Sequence, residues 1–193
     1  MLKLNFASFV GASIVALTMA LGTAQPSLGE TKEQTVTVGG APMFASKNII
    51  ENAVNSKDHT TLVAAVKAAG LVDTLSGKGP FTVFAPTNAA FDILPKDTVP
   101  ALLKPENKGT LTGILTYHVV AGKLSAEDLA AKAKEAGGKV ELKTVAGGMI
   151  TVMGEGKDWV VVDAKGGKAK ITIADVNQSN GVIHVLDHVL LPN

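Results

Sequence analysis

Four histidines, His59, His118, His184 and His188, are the side chains best suited to metal ligation or proton transfer in this 193-residue chain. His184 and His188 lie four residues apart with Asp187 beside them, a spacing that would bring two ligands together on a helix. The flanking Val182-Ile183 and Val189-Leu190-Leu191 instead predict a strand, on which the two rings stand roughly 13 Å apart at about 3.3 Å per residue. Zinc holds its ligands at about 2 Å, so no metal site is expected here. His184 reads as a hydrogen-bonded interior histidine and His188 as a surface one. Tyr117-His118 is the other polar pair in an apolar setting. On a strand its two rings point to opposite faces, and either can meet the turn Ala85-Pro86-Thr87-Asn88. A neutral His118 bonded to a side-chain amide or carboxylate would fix that turn. This is a structural role, because no nucleophile or orienting partner accompanies the ring.

Other chemistries find less support. No serine after the first 24 residues sits in a G-x-S-x-G frame, and Thr87, on a strand-to-helix turn, is read as a helix N-cap. Neither G-x-x-x-x-G-K-[ST] nor G-x-G-x-x-G occurs, so nucleotide chemistry has no foothold. All 18 basic residues are lysine, which removes the guanidinium fork that reads phosphate and guanine; no nucleic-acid partner is expected. The absence of cysteine excludes disulfides, thiolate metal sites and cysteine nucleophiles. The chain is expected to be no enzyme and to need no cofactor.

The elements that position these residues follow from periodicity. Ile49, Ile50, Ala53 and Val54 recur at helical spacing behind a Ser46 cap. A second helix opens at Thr60 or Thr61, carries Leu62, Val63 and Val66, and stops at Gly70, with a short turn over Leu71–Leu75. Phe81-Thr82-Val83-Phe84 predicts a short buried strand halted by Pro86. Short helices follow over Ala89–Leu94, Val99–Leu103 and Leu111–Leu115, then strand character over Tyr117–Val120. Ser125 with Asp128 marks the start of a helix running to Glu135. Beyond Gly138 the chain reads as strands separated by glycine turns: Val140–Val145, Met149–Met153, Trp159–Asp163, Ala169–Ala174 and Val182–Leu191. Helices grouped early and antiparallel hairpins grouped late imply an α+β domain.

Met1–Ala24, with Lys3, an apolar run and a small-residue end, has the pattern of a secretory signal peptide. Its removal leaves a mature chain of zero formal charge, without the positive field that polyanions or anionic lipid would attract, and no later segment looks membrane-spanning. Residues 25–45, with Pro26, Gly39-Gly40 and Pro42, are expected to be a flexible linker ahead of a single domain over 46–193. A secreted or periplasmic location is expected.

Three stretches carry a resemblance. Gly79-Pro80-Phe81-Thr82-Val83-Phe84-Ala85-Pro86-Thr87-Asn88-Ala89-Ala90-Phe91 is similar to the first signature of fasciclin-like (FAS1) domains. Asn180-Gly181-Val182-Ile183-His184-Val185-Leu186-Asp187-His188-Val189-Leu190-Leu191-Pro192 resembles the second, and Tyr117-His118 falls between them where the family carries its Tyr-His motif. The resemblance implies a wedge of antiparallel and mixed strands with several surrounding helices, in secreted or surface proteins of adhesion, matrix association or symbiotic contact. It implies partner contacts at Tyr117, His118, Asp175 and Val176. Phe81, Phe84, Thr87, Asn88, Phe91, Asn180, Gly181 and His184 are expected as fold-forming positions. The partner is expected to be a protein or glycan, met by a monomer or weak oligomer. The competing reading is an envelope carrier of a small molecule or metal, with its pocket near Tyr117, His118 and the Thr87 turn.

Overall fold

The computed structural model describes Glu33 and residues 35–193; the expected signal segment and residues 25–32 lie outside the described residues. Strands β1 (Val36–Val38) and β2 (Ala41–Met43) pair as a hairpin around Gly39-Gly40. Part of the expected linker is therefore structured. Val38 and Met43 alternate inward and are buried, while both turn glycines hold positive φ, as a two-residue hairpin turn requires. Pro42 is tolerated because the strand is short and at an edge.

Helix α1 (Ile49–Ala53) is capped by Asn48, not Ser46: Asn48 Oδ1 accepts from Glu51 N at 2.9 Å and Glu51 returns a carboxylate oxygen to Asn48 N at 2.8 Å. Helix α2 (Thr60–Ala69) ends at Gly70 in the left-handed region, and α3 (Val72–Ser76) follows it. Strand β3 (Phe81–Pro86) leads into α4 (Asn88–Asp92) and α5 (Thr98–Leu102), and α5 has no buried residue. Helix α6 (Lys108–Tyr117) turns Leu111 and Leu115, one turn apart, into the core.

Tyr117 closes that helix and His118 caps it, which corrects the strand expected over Tyr117–Val120; strand β4 is limited to Val119–Ala121. Tyr117 stays helical although it is β-prone, because its ring leaves the Leu111/Leu115 face and is buried in the barrel-side core, where its hydroxyl is bonded on both sides. Helix α7 (Ala126–Glu135) starts at the expected Ser125/Asp128 capping box.

The remaining strands are β5 (Lys139–Lys143), β6 (Met149–Glu155), β7 (Asp158–Val162), β8 (Lys168–Gln178) and β9 (Gly181–Leu186). They form an antiparallel meander as far as β9, which then runs parallel to β3 in register Val83↔Ile183 and Phe84↔His184. The sheet order is β4-β3-β9-β8-β7-β6-β5. Val120 bridges Thr144, and Val145 N donates to Val119 O at 2.7 Å, so the far end of the sheet curls back to β4 as a near-barrel. The strand expected over Val182–Leu191 ends at Leu186.

The parallel pair β3–β9 is covered on both faces, which is why its sequence is a continuous apolar run. Val83, Ala85, Ile183 and Val185 face a core under α1, α2, α3, α6 and the hairpin. Phe84 and Leu186 face the barrel interior with Tyr117, Leu129, Ile150, Val152 and Val161.

Candidate functional site

The motif residues converge on this parallel pair. Phe84 N donates to His118 O at 2.9 Å, Thr87 N to Leu186 O at 3.1 Å, and the Phe84 and His184 rings sit 5.6 Å apart. The two signatures and the Tyr-His pair thus meet in one place, although they lie up to a hundred residues apart in the chain.

His118 is held by backbone groups. Its Nδ1 lies 2.9 Å from Ile114 O, and Leu190 N donates to its Nε2 at 2.9 Å. A carbonyl only accepts and an N–H only donates, so the ring is neutral with its proton on Nδ1. Burial pushes its pKa down to about 4, against the smaller opposing pull of the Ile114 carbonyl and the Asp163 charge. Tyr117 donates its hydroxyl to Met149 O at 2.6 Å and accepts from Ala164 N at 2.9 Å. Burial raises its pKa, with the Ala164 N–H acting the other way. A Cβ at Gly148 would lie 2.7 Å from the Tyr117 ring, so glycine is required there.

His184 and Asp175 form a second knot. His184 Nε2 donates to Leu124 O at 2.9 Å, its Nδ1 accepts from Asp175 N, and burial lowers its pKa. Asp175 sits at an irregularity of β8 with φ of 56°, a left-handed conformation that Asp tolerates better than most residues. Its Oδ1 accepts from Ala126 N at 2.7 Å, at the start of α7.

Asn180 and Asn88 tie helices to strands through their amides. Asn180 accepts from Ile49 N and donates to Leu75 O and Gly77 O, which joins α1 and α3 to the β8–β9 turn. Asn88 accepts from Thr61 N and donates to Lys57 O, which anchors the start of α2. Thr87 caps α4 by accepting from Ala90 N. Gly181 is obligatory because a Cβ there would stand 2.1 Å from Phe81 O. Phe81 and Phe91 are half-buried against the helix-side core.

The four expected contact residues do not form an exposed patch. Tyr117, His118 and Val176 are 1%, 3% and 1% exposed, and only Asp175 is partly accessible. Three of these four expected partner contacts are thus buried side chains, and Asp175 is the one that reaches solvent. His118 borders an apolar cavity whose lining includes neither Tyr117 nor Thr87. No group of three His, Asp or Glu side chains is placed to hold a metal among the described residues. His188 is exposed beside Asp187.

Sequence reasoning missed Asn52 and Gln178. Asn52, wholly buried, donates to Phe44 O at 2.7 Å and to Gln178 Oε1, and accepts from Phe44 N at 3.0 Å, locking the hairpin's exit to β8. Neither amide stands in a pattern that marks it as buried. Among the described large apolar side chains a few reach solvent, with Ile93, at 61% exposure, the most open.

Fold and site together define an α+β near-barrel whose motif side chains are engaged internally. The fasciclin domain model matches residues 57–192, and the chain belongs to the fasciclin domain family. Protein sll1483 of Synechocystis sp. is 46% identical over 189 residues, covering 94% of this chain and 97% of that protein. Immunogenic protein MPB70 of Mycobacterium bovis is 38% identical over 145 residues, 72% of this chain and 66% of that one. Cell surface glycolipoprotein MPB83 of the same species is 35% identical over 159 residues, 80% and 64% of the two chains. A solved domain pair from the insect cell adhesion molecule Fasciclin I superposes with a TM-score of 0.67 at 22% identity, covering 75% of this chain and 51% of that one, a likeness of fold. Among the described residues no helix is long and apolar enough to cross a membrane.

Proposed function

We propose that this protein is an exported, surface-associated interaction module that makes weak, repeated contacts with a protein or glycan partner, as in adhesion or matrix contact. The observation that carries this reading is the family match over residues 57–192, in a family where similar proteins bear the names cell surface glycolipoprotein and cell adhesion molecule. The engagement of the motif side chains inside the fold supports it, since recognition then falls to the outer surface. That surface has dispersed apolar residues, Ile93, Val54, Val145 and Met149, with no cluster of Trp, Tyr and Arg anchors, the composition of a contact that gains strength by multiplicity. The signal segment directs export and is removed near Ala24; the module works without a cofactor or catalytic step.

The test is retention of host cells on beads coated with the purified protein. Beads at high surface density hold cells, soluble protein competes poorly, and Ile93→Lys with Met149→Lys lowers retention while the melting temperature stays put. Retention no better than on albumin-coated beads would end this reading.

A further inference from the structure

Two small cavities of the helix-side core, about 40 and 30 Å³, share Ile49, Ala53, Leu62 and Val83 as walls and offer almost no polar surface to orient a guest. The groove between α4 and α5 is of another kind. It is open, about 430 Å³, lined by Phe91, Leu94, Pro95, Val99 and Pro100, and bordered by Asp92 and Lys96. Helix α5 buries none of its residues, although Val99, Pro100, Ala101 and Leu102 are apolar. Leu102 and Leu103 pack against the helix-side core, which leaves Val99 and Pro100 to the groove. Ile93, the most open large apolar side chain described, stands in the sequence between two residues of the lining. An apolar recess with an apolar projection beside it marks a contact surface. Asp92 and Lys96 are both exposed, and neither lies within ion-pair distance of an opposite charge among the described residues.

We infer that this groove is a self-association surface, met by the same surface of a second copy of the chain in a weak two-fold dimer. In a two-fold contact residue i of one copy meets residue j of the other, and j meets i. When the stretch 92–96 runs antiparallel to its copy about an axis at Leu94, Asp92 of each chain faces Lys96 of the other. Ile93 of each chain then faces Pro95 of the other, and Leu94 packs on Leu94. Both border charges gain a partner, and Ile93 leaves water. A partner carrying charge of one sign would be drawn by one border residue and repelled by the other, so this balanced border favours a copy of itself over a polyanion or a polycation. No Trp, Tyr or Arg lines the groove, which keeps the contact weak. The pairing goes beyond the adhesive role proposed above: it supplies a second contact surface per particle and forms whether or not host cells are held.

Sedimentation equilibrium of the purified protein between about 10 µM and about 1 mM tests this, with a dissociation constant on the order of 100 µM expected for so small a contact. Ile93→Lys should leave a monomer throughout that range. Asp92→Lys sets lysine against lysine at both pairs and Lys96→Asp sets aspartate against aspartate, so each variant alone should self-associate about tenfold more weakly. Mixed in equal amounts, the two variants restore opposite charges at both pairs, and the mixed dimer should return to wild-type strength. All three positions are exposed, so melting temperatures should stay near that of the wild type. A wild-type chain that stays monomeric at about 1 mM overturns the proposal. So does Ile93→Lys pairing at wild-type strength, or a mixture no stronger than its components. Dimers without cell retention would end the adhesive reading and leave this one, and retention by a chain that stays monomeric would do the reverse.

Discussion

The two faces of the β3–β9 ribbon are packed to different standards. On the barrel side Phe84, Val152, Val161 and Leu186 are wholly enclosed, and the buried polar side chains there have partners. On the helix side two cavities persist and His59 keeps an unpaired nitrogen. The barrel side is closed by strands whose register is fixed bond by bond. The helix side is roofed by separate helices of five or ten residues and three-residue strands that rest on side-chain contact and a few amide anchors. Continuous hydrogen-bonded ladders leave little freedom for gaps, and short independent pieces leave more.

Truncation should separate the faces most. Phe84→Ala removes a wholly enclosed ring from the barrel-side core and should cost about 3–5 kcal/mol. Leu62→Ala, at a wall both cavities already share, should fall near the lower end for such changes, about 2 kcal/mol. Urea denaturation of the two variants measures the gap, and equal losses would erase the proposed contrast.

Acid tests the hydrogen bonds that hold the C-terminal stretch to the ribbon. His118 has a folded pKa near 4 against an ordinary 6.5. Between those values the unfolded chain binds a proton that the folded one refuses. Stability from this group is therefore complete above pH 6.5 and declines as pH falls toward 4, by about 3 kcal/mol. Protonation places a second N–H against Leu190 N, so the Leu190 and Leu191 attachments to His118 and Asp163 should loosen first. His59 and His184 are shifted in the same direction and steepen the slope. Denaturation midpoints between pH 4 and 7 should fall less steeply in His118→Leu, and an unchanged slope would contradict the assignment.

Asn180→Ala should cost about 1–3 kcal/mol, because it strands Ile49 N and two carbonyls at the junction of α1, α3 and the β8–β9 turn. Hydrogen exchange should quicken in α1 and α3 before the barrel strands.

The contrast between faces also explains what could be read ahead of the structure. The ribbon was legible because burial on both faces forces uninterrupted apolar runs, and the Ser125/Asp128 cap because capping is local chemistry. The hairpin was not: three-residue strands with Pro42 and two glycines lack the apolar mass of a core element, although Val36-Thr37-Val38 before Gly39-Gly40 carried the signal of alternation ahead of a tight turn. The helical state of Tyr117 is not legible because its β-propensity is a local preference, overridden by burial of its ring in the barrel, with hydroxyl partners 32 and 47 residues away. The resemblance ties Asp175 and Val176 to a partner; the left-handed corner by which Asp175 reaches Ala126, 49 residues away, and the burial of Val176 are set by tertiary contacts that no local pattern shows. Asn52 and Gln178 recognise each other across 126 residues, and no local pattern encodes such a pair.

Filling should have opposite signs on the two faces, and this is the smallest effect. Ala169, 1% exposed, is enclosed among the barrel-side core residues, so Ala169→Leu should force off-rotamer packing and cost about 1–3 kcal/mol. Ala53 borders both helix-side cavities, and Ala53→Leu places its added methyl groups in space that is already open. It should be neutral or stabilising by about 0.5–1 kcal/mol, the usual return of cavity filling. Thermal melts of the pair decide the sign. A loss in Ala53→Leu as large as that in Ala169→Leu would mean that the helix side is as rigidly packed as the barrel, and the roof of short helices would then owe its shape to more than the contacts described.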